Sequence, residues 1–141
     1  MPYAQPADLT DRLGADLLAL LADEDGDGAP DAAILAAAIE DAEAEVDAAL
    51  AGRYATPIDP PPPPLRRLVV DLAVYLLFTR RRRAVAPEHL ENWRAARGRL
   101  EAIAQGRADL EGVPTRLRRF EGRSLTLDQE RFFDRDALDS F

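Results

Sequence analysis

Eleven residues, Leu68–Phe78, are apolar on nearly every side of a helix, interrupted only by Asp71. A helix of that kind has no face to give to water, so the rest of the chain must surround it. It is too short for a bilayer, which takes roughly 20 residues. Five consecutive prolines, Pro60–Pro64, stand just before it. Pro64 suits the first turn of a helix running from Leu65 to about Arg82. The chain has 141 residues, enough for one compact domain, so few elements are left to do the covering. Those elements are helices. Alanine occurs 26 times, aromatics make up 6%, and β-branched residues are scarce. The expected fold is all-α, a small bundle of about four main helices with an extended C-terminal tail. In so small a protein, all-round apolarity also suggests burial between copies. Asp71 is then a solvated edge residue, a partner of Arg67 one turn back, or one half of a buried pair with an arginine of a neighbouring copy.

The other helices follow from spacing and from their ends. Residues 7–13 form a short helix, with Pro6 at its start and Gly14 at its stop. Asp16–Ala22 continues as a second short helix carrying Leu17, Leu18, Leu20 and Leu21. Asp31 can cap the next, in which Leu35, Ile39, Ala42, Val46, Ala49 and Leu50 recur at intervals of three and four. Glu40, Asp41, Glu43, Glu45 and Asp47 make its remaining surface acidic, and Gly52 ends it. Residues 53–64 read as a connector whose stiff, extended proline run is a spacer, with a ligand for an aromatic groove as the alternative. Pro87 opens a last helix to about Gln105, with Leu90, Trp93, Ala96, Leu100 and Ile103 as its stripe. His89, beside Glu88 and Glu91 in its first turn, is expected to be solvated.

Residues 1–112 are thus a helical domain and residues 113–141 a tail without helical period. The tail holds four of the five phenylalanines: Phe120, Phe132, Phe133 and Phe141. Aromatics in a polar tail look like anchors for a partner's pockets, although folding back as a small hairpin is the alternative.

The net charge of −8 is unevenly spread. Residues 1–60 carry −12, residues 61–123 carry +7, and residues 124–141 carry −3. Packed helices can neutralise one another within a chain. Equally, an acidic flank can face the basic flank of a second copy, through Glu40, Glu43, Asp47 and Asp71 on one side and Arg94, Arg97 and Arg99 on the other.

Several chemistries are excluded or weakly supported. With no cysteine there are no disulfides, thiol nucleophiles or Cys-ligated metals, and a single histidine rules out a histidine-rich metal site. Asp23, Asp25 and Asp27 hold the first, third and fifth places of an EF-hand-type loop, with Gly28 sixth and Asp31 ninth. The twelfth place, which needs a bidentate carboxylate, is Ile34. Two readings stand: an acidic turn with Asp31 as a helix cap, or weak cation binding. Arg80–Arg83 could neutralise phosphates, or could cap its own helix and meet acidic neighbours. No phosphate loop or nucleophile motif is present, so no enzymatic activity and no cofactor are expected. The N-terminus lacks a basic stretch followed by an apolar one, so an intracellular product is expected.

A set of short segments resembles a known family. It comprises Met1-Pro2-Tyr3-Ala4, Asp8-Leu9, Arg12-Leu13-Gly14, the loop 23–28 and its following Ala/Glu-rich helix. It continues with Gly52-Arg53-Tyr54-Ala55-Thr56-Pro57, the proline run, Asp71-Leu72-Ala73-Val74-Tyr75, Arg131-Phe132-Phe133-Asp134-Arg135-Asp136 and the terminal Phe141. In this order they are similar to the Mu-like phage and prophage structural family, whose members look like head–tail connector, or adaptor, proteins. The resemblance implies a homo-oligomeric ring, of twelve copies, below the portal in the virion neck. DNA would pass through it without sequence-specific binding, and the next neck or tail-completion protein would meet its other side. Assembly would take place in the host cytoplasm, with no membrane involved. The resemblance also implies that the C-terminal segment, with Phe132, Phe133 and Arg135 at its centre, engages the portal. A helical binding module regulated by divalent cation or nucleic acid is the alternative.

Overall fold

The computed structural model describes residues 2–116. Among them five helices follow one another: α1 (Pro6–Leu13), α2 (Ala15–Ala22), α3 (Ala32–Leu50), α4 (Pro63–Arg80) and α5 (Pro87–Ala104), with no strand. The bundle is all-α, as the periodicity indicates.

Helix α4 is its axis and packs against all four others. Leu65, Leu68, Val69, Val70, Leu72, Ala73, Val74, Leu77 and Phe78 are each at most 5% exposed. The apolar helix is thus buried within one chain. The short α1 and α2 cover the sides that α3 and α5 leave, so one chain suffices. Burying a side chain such as Leu or Phe contributes about 1.5–3 kcal/mol, so this helix contributes more to the core than any other.

The stripe on α3 is buried as its spacing requires, at Leu35, Ile39, Ala42, Val46 and Leu50. Gly14 joins α1 to α2 with a φ of +81°, which a side chain would resist. Upstream, the Gln5 N–H donates to Asp8 Oδ2 at 2.8 Å, which occupies one free donor at the start of α1. The N-terminal arm is part of the core: Tyr3 is 3% exposed, and its hydroxyl donates to Asp47 Oδ1 at 2.5 Å and accepts the Ile58 N–H at 2.8 Å.

Two expectations are corrected. The proline run is not a five-residue spacer. Pro62 is extended (φ −70°, ψ 152°), whereas Pro63 and Pro64 already belong to α4. Tyr54 and Ile58 are buried, so the connector is held against the body by its own apolar residues. His89 is not solvated; it is 8% exposed, with its ring 5.7 Å from that of Phe78. The spacing explains this: His89, Trp93, Ala96, Leu100 and Ile103 fall at alternating intervals of four and three, on one face of α5.

Beyond α5 the chain turns at Gly106 (φ +81°) and runs back along the body. Leu110 is buried there, and Ala108 and Val113 pack against the core.

Candidate functional site

The loop between α2 and α3 folds around its own carboxylates. Asp23 accepts the N–H of Gly26 at 2.8 Å and of Gly28 at 2.9 Å through its two oxygens. Asp25 accepts from Asp27 at 3.3 Å, and Asp27 from Ala29 at 2.9 Å. The Asp31 carboxylate accepts the Glu24 N–H at 3.0 Å. Asp31 therefore stands at the N-cap position of α3 without capping it by side chain; it closes the loop instead, which corrects the capping expectation. One carboxylate oxygen from each of Asp23, Asp25, Asp27 and Asp31 lies within 4.8 Å of the others. Among the described residues this is the one cluster that could hold a metal ion. The N–H of Gly28, helped by that of Gly26, holds the Asp23 carboxyl below the usual range. Asp25 is pushed up: the Asp27 N–H lowers it, but the Asp23 and Asp27 carboxylates and desolvation outweigh that. The arrangement concentrates negative charge that a divalent cation could neutralise, with no carboxylate at Ile34 to complete the shell.

Of the arginine cluster, two members are engaged with this loop. Arg81 donates to the carbonyls of Leu21 at 3.2 Å and Asp23 at 2.5 Å, and Arg80 is ion-paired with Glu24. These contacts satisfy free carbonyls at the end of α2 and draw on its negative dipole end. Arg82 and Arg83 are exposed.

The residues expected at a contact between copies divide into two groups. Glu43 accepts the N–H groups of Tyr3 at 2.5 Å and Ala4 at 3.3 Å, and Asp47 accepts the Tyr3 hydroxyl. Arg97 is ion-paired with Glu45 across α5 and α3 and lies 5.8 Å from the centre of the Trp93 ring. Trp93 in turn stacks on Tyr75 at 4.1 Å. Asp71 is buried and pairs with Arg12 of its own chain, which corrects the reading as a solvated edge residue and the pairings with Arg67 and with a neighbouring copy. Burial pushes the Asp71 carboxyl up, against the pull of Arg12. Glu40, Arg94 and Arg99 remain exposed, and among the described residues they make no ion pair. The expected partner-binding residues Phe120, Phe132, Phe133, Arg135 and Phe141 lie outside the described residues.

Sequence reasoning assigned no role to Arg53 and Tyr54, yet both are hubs. Arg53 reaches Ile103, Ala108 and Asp109, and the Tyr54 hydroxyl accepts the N–H of Leu110 at 2.9 Å. Their signal in the sequence was their place in the segment Gly52–Pro57, one of those that carry the family resemblance.

No helix among the described residues is long and apolar enough to cross a membrane. A family model described as "Bacteriophage Mu, Gp36" matches residues 3–121. No curated protein matches the chain.

Proposed function

The chain belongs to the bacteriophage Mu Gp36 family of phage proteins, and from that premise we propose that it is a head–tail connector, a non-enzymatic ring below the portal. Family membership over residues 3–121 is the observation that carries this reading. Two features support it. A helical body whose core is closed within one chain can join a ring without refolding. Exposed residues of both signs, Glu40 against Arg94 and Arg99, suit lateral contacts whose register is set by charge. The 25 residues after Arg116 carry Phe120, Phe132, Phe133, Arg135 and Phe141, which engage the portal; DNA passes through the bore without sequence-specific contact. Such a joint repeats one modest contact around the ring, so the sum is firm although each copy binds weakly.

Mass measurement of the purified protein, alone and with portal-bearing heads, tests this. A connector forms a ring, twelve copies in this account, at least on the heads. A chain that stays monomeric and unbound with heads present overturns it.

A second reading, a binding module regulated by divalent cation, draws on the convergence of Asp23, Asp25, Asp27 and Asp31 within 4.8 Å. It requires a response to calcium at micromolar levels, which a connector does not need.

A further inference from the structure

Arg53 and Tyr54 lie in the turn just after α3 and help hold the chain that leaves α5. The Arg53 Nη1 donates to the carbonyls of Ile103 at 2.5 Å and Ala108 at 3.0 Å, and its Nη2 donates to Asp109 Oδ1 at 2.7 Å. The Arg53 carbonyl accepts the Arg116 N–H at 2.5 Å. Leu110 is tied by its N–H to the Tyr54 hydroxyl. At Gly106 the turn passes close to the guanidinium: a Cβ there would stand 3.9 Å from its Nε and Cζ.

Residues 105–116 contain no helix, so no internal ladder of hydrogen bonds keeps them in place. Backbone bonds from Gly106, Arg107 and Ala108 to the last turn of α5 fix the start of this stretch; beyond them it is held by the buried Leu110, the packing of Val113 and the bonds to Arg53 and Tyr54. A planar guanidinium can donate in several directions at once from one rigid fork, which a lysine ammonium cannot reproduce. The Arg53 side chain is only 18% exposed, which partly shields its bonds to the Ile103 and Ala108 carbonyls, whereas Asp109 is exposed.

We propose that Arg53 is a positioning residue: its fork sets where the chain past Arg116 leaves the body, and so where residues 117–141 meet their partner. This rests on the connector reading. A ring joint needs every copy to present its segment at the same place. A strap free to swing would spread those positions and lose the gain from repetition.

The test compares Arg53→Lys and Arg53→Ala with wild type in the full chain. Amide exchange reads the strap, and binding to portal-bearing heads reads the function. Both variants are expected to speed exchange at Leu110 and Arg116 by about tenfold or more, since each loses at least one shielded bond. Exchange at Val69, in the axis helix, is expected to stay as in wild type, and binding to heads to weaken by about tenfold. Normal binding despite a loosened strap overturns the proposal. So does unchanged exchange at the strap, or full binding by Arg53→Lys, which would mean that charge alone matters. Faster exchange at Val69 in both variants also overturns it, because Arg53 would then serve general stability. If wild type itself does not bind the heads, the connector reading fails and this role fails with it.

Discussion

The Arg12 guanidinium, on α1, is ion-paired with the Asp71 carboxylate in the middle of α4, 59 residues away. The two sides of this pair are unequally shielded: the Asp71 side chain is 11% exposed and that of Arg12 is 29% exposed. Removing Arg12 leaves a carboxylate stranded in the core, whereas removing the Asp71 charge leaves an arginine that can reach water. Arg12→Ala is therefore predicted to cost on the order of 2–3 kcal/mol at neutral pH, and Asp71→Asn under about 1 kcal/mol. Chemical denaturation of both variants checks the order. The pH dependence follows from the raised carboxyl of Asp71. A carboxyl raised in the folded state favours folding when protonated, and that advantage is lost as pH rises through its folded value. The deficit of Arg12→Ala should thus shrink on acidification.

Tyr3 is predicted to pin the N-terminal arm in part through its hydroxyl, beside the bonds from Tyr3 and Ala4 N–H to Glu43. Tyr3→Phe keeps the ring but leaves the Ile58 N–H without its acceptor and Asp47 without a donor. The expected loss is about 1–3 kcal/mol. Burial, with the Asp47 hydrogen bond adding to it, pushes the Tyr3 hydroxyl up from 10.0 to about 12. The folded state holds that proton more tightly. Its contribution is complete below pH 10 and is lost as pH rises toward 12. Melting curves across that window should converge for wild type and Tyr3→Phe.

The acidic loop is predicted to be no obligatory metal site. Its carboxylates are engaged by their own backbone donors, and Ile34 offers no ligand at the twelfth place. Calcium should bind no tighter than about 10⁻⁴ M, the range of the weakest such loops. Titration calorimetry decides this, and micromolar affinity or a rise of many degrees in melting temperature would contradict it.

Reversing Arg94 and Arg99 together to Glu is predicted to weaken association between copies at low salt. The defect should shrink at high salt, where screening already weakens the wild-type contact. Arg97→Glu acts differently, because Arg97 is committed to Glu45 of its own chain; it should cost the fold up to about 1 kcal/mol. Sedimentation at two ionic strengths separates these effects.

What was legible in the sequence was local. The stripe on α3 and the ends marked by Pro6, Gly14 and Pro87 lie where spacing and backbone chemistry put them. Periodicity reports which face is buried, not what covers it. Hence the apolar faces of α4 pointed to a neighbouring copy although α1 and α2 cover them. Hence too the partners of Asp71, Tyr3 and Arg53, each 40 or more residues distant, stayed hidden. His89 was readable from its four-and-three spacing with Trp93, Ala96, Leu100 and Ile103. Its polar type and acidic neighbours pointed the other way. The EF-hand-like spacing did place four carboxylates together, but not the Glu24 contact that takes up Asp31.

Deleting residues 128–141 is predicted to leave the helical body folded, since every core contact described lies before Arg116. Circular dichroism should retain its helical signal. Attachment to portal-bearing heads should be abolished, and infectious particles at the normal level would contradict the docking role.

Electron cryo-microscopy of the particle neck tests the connector role without any substitution. A closed ring of this five-helix body is expected directly below the portal, with the chain beyond Arg116 running toward it. A neck fully built from other proteins, with no density for this body, would contradict it.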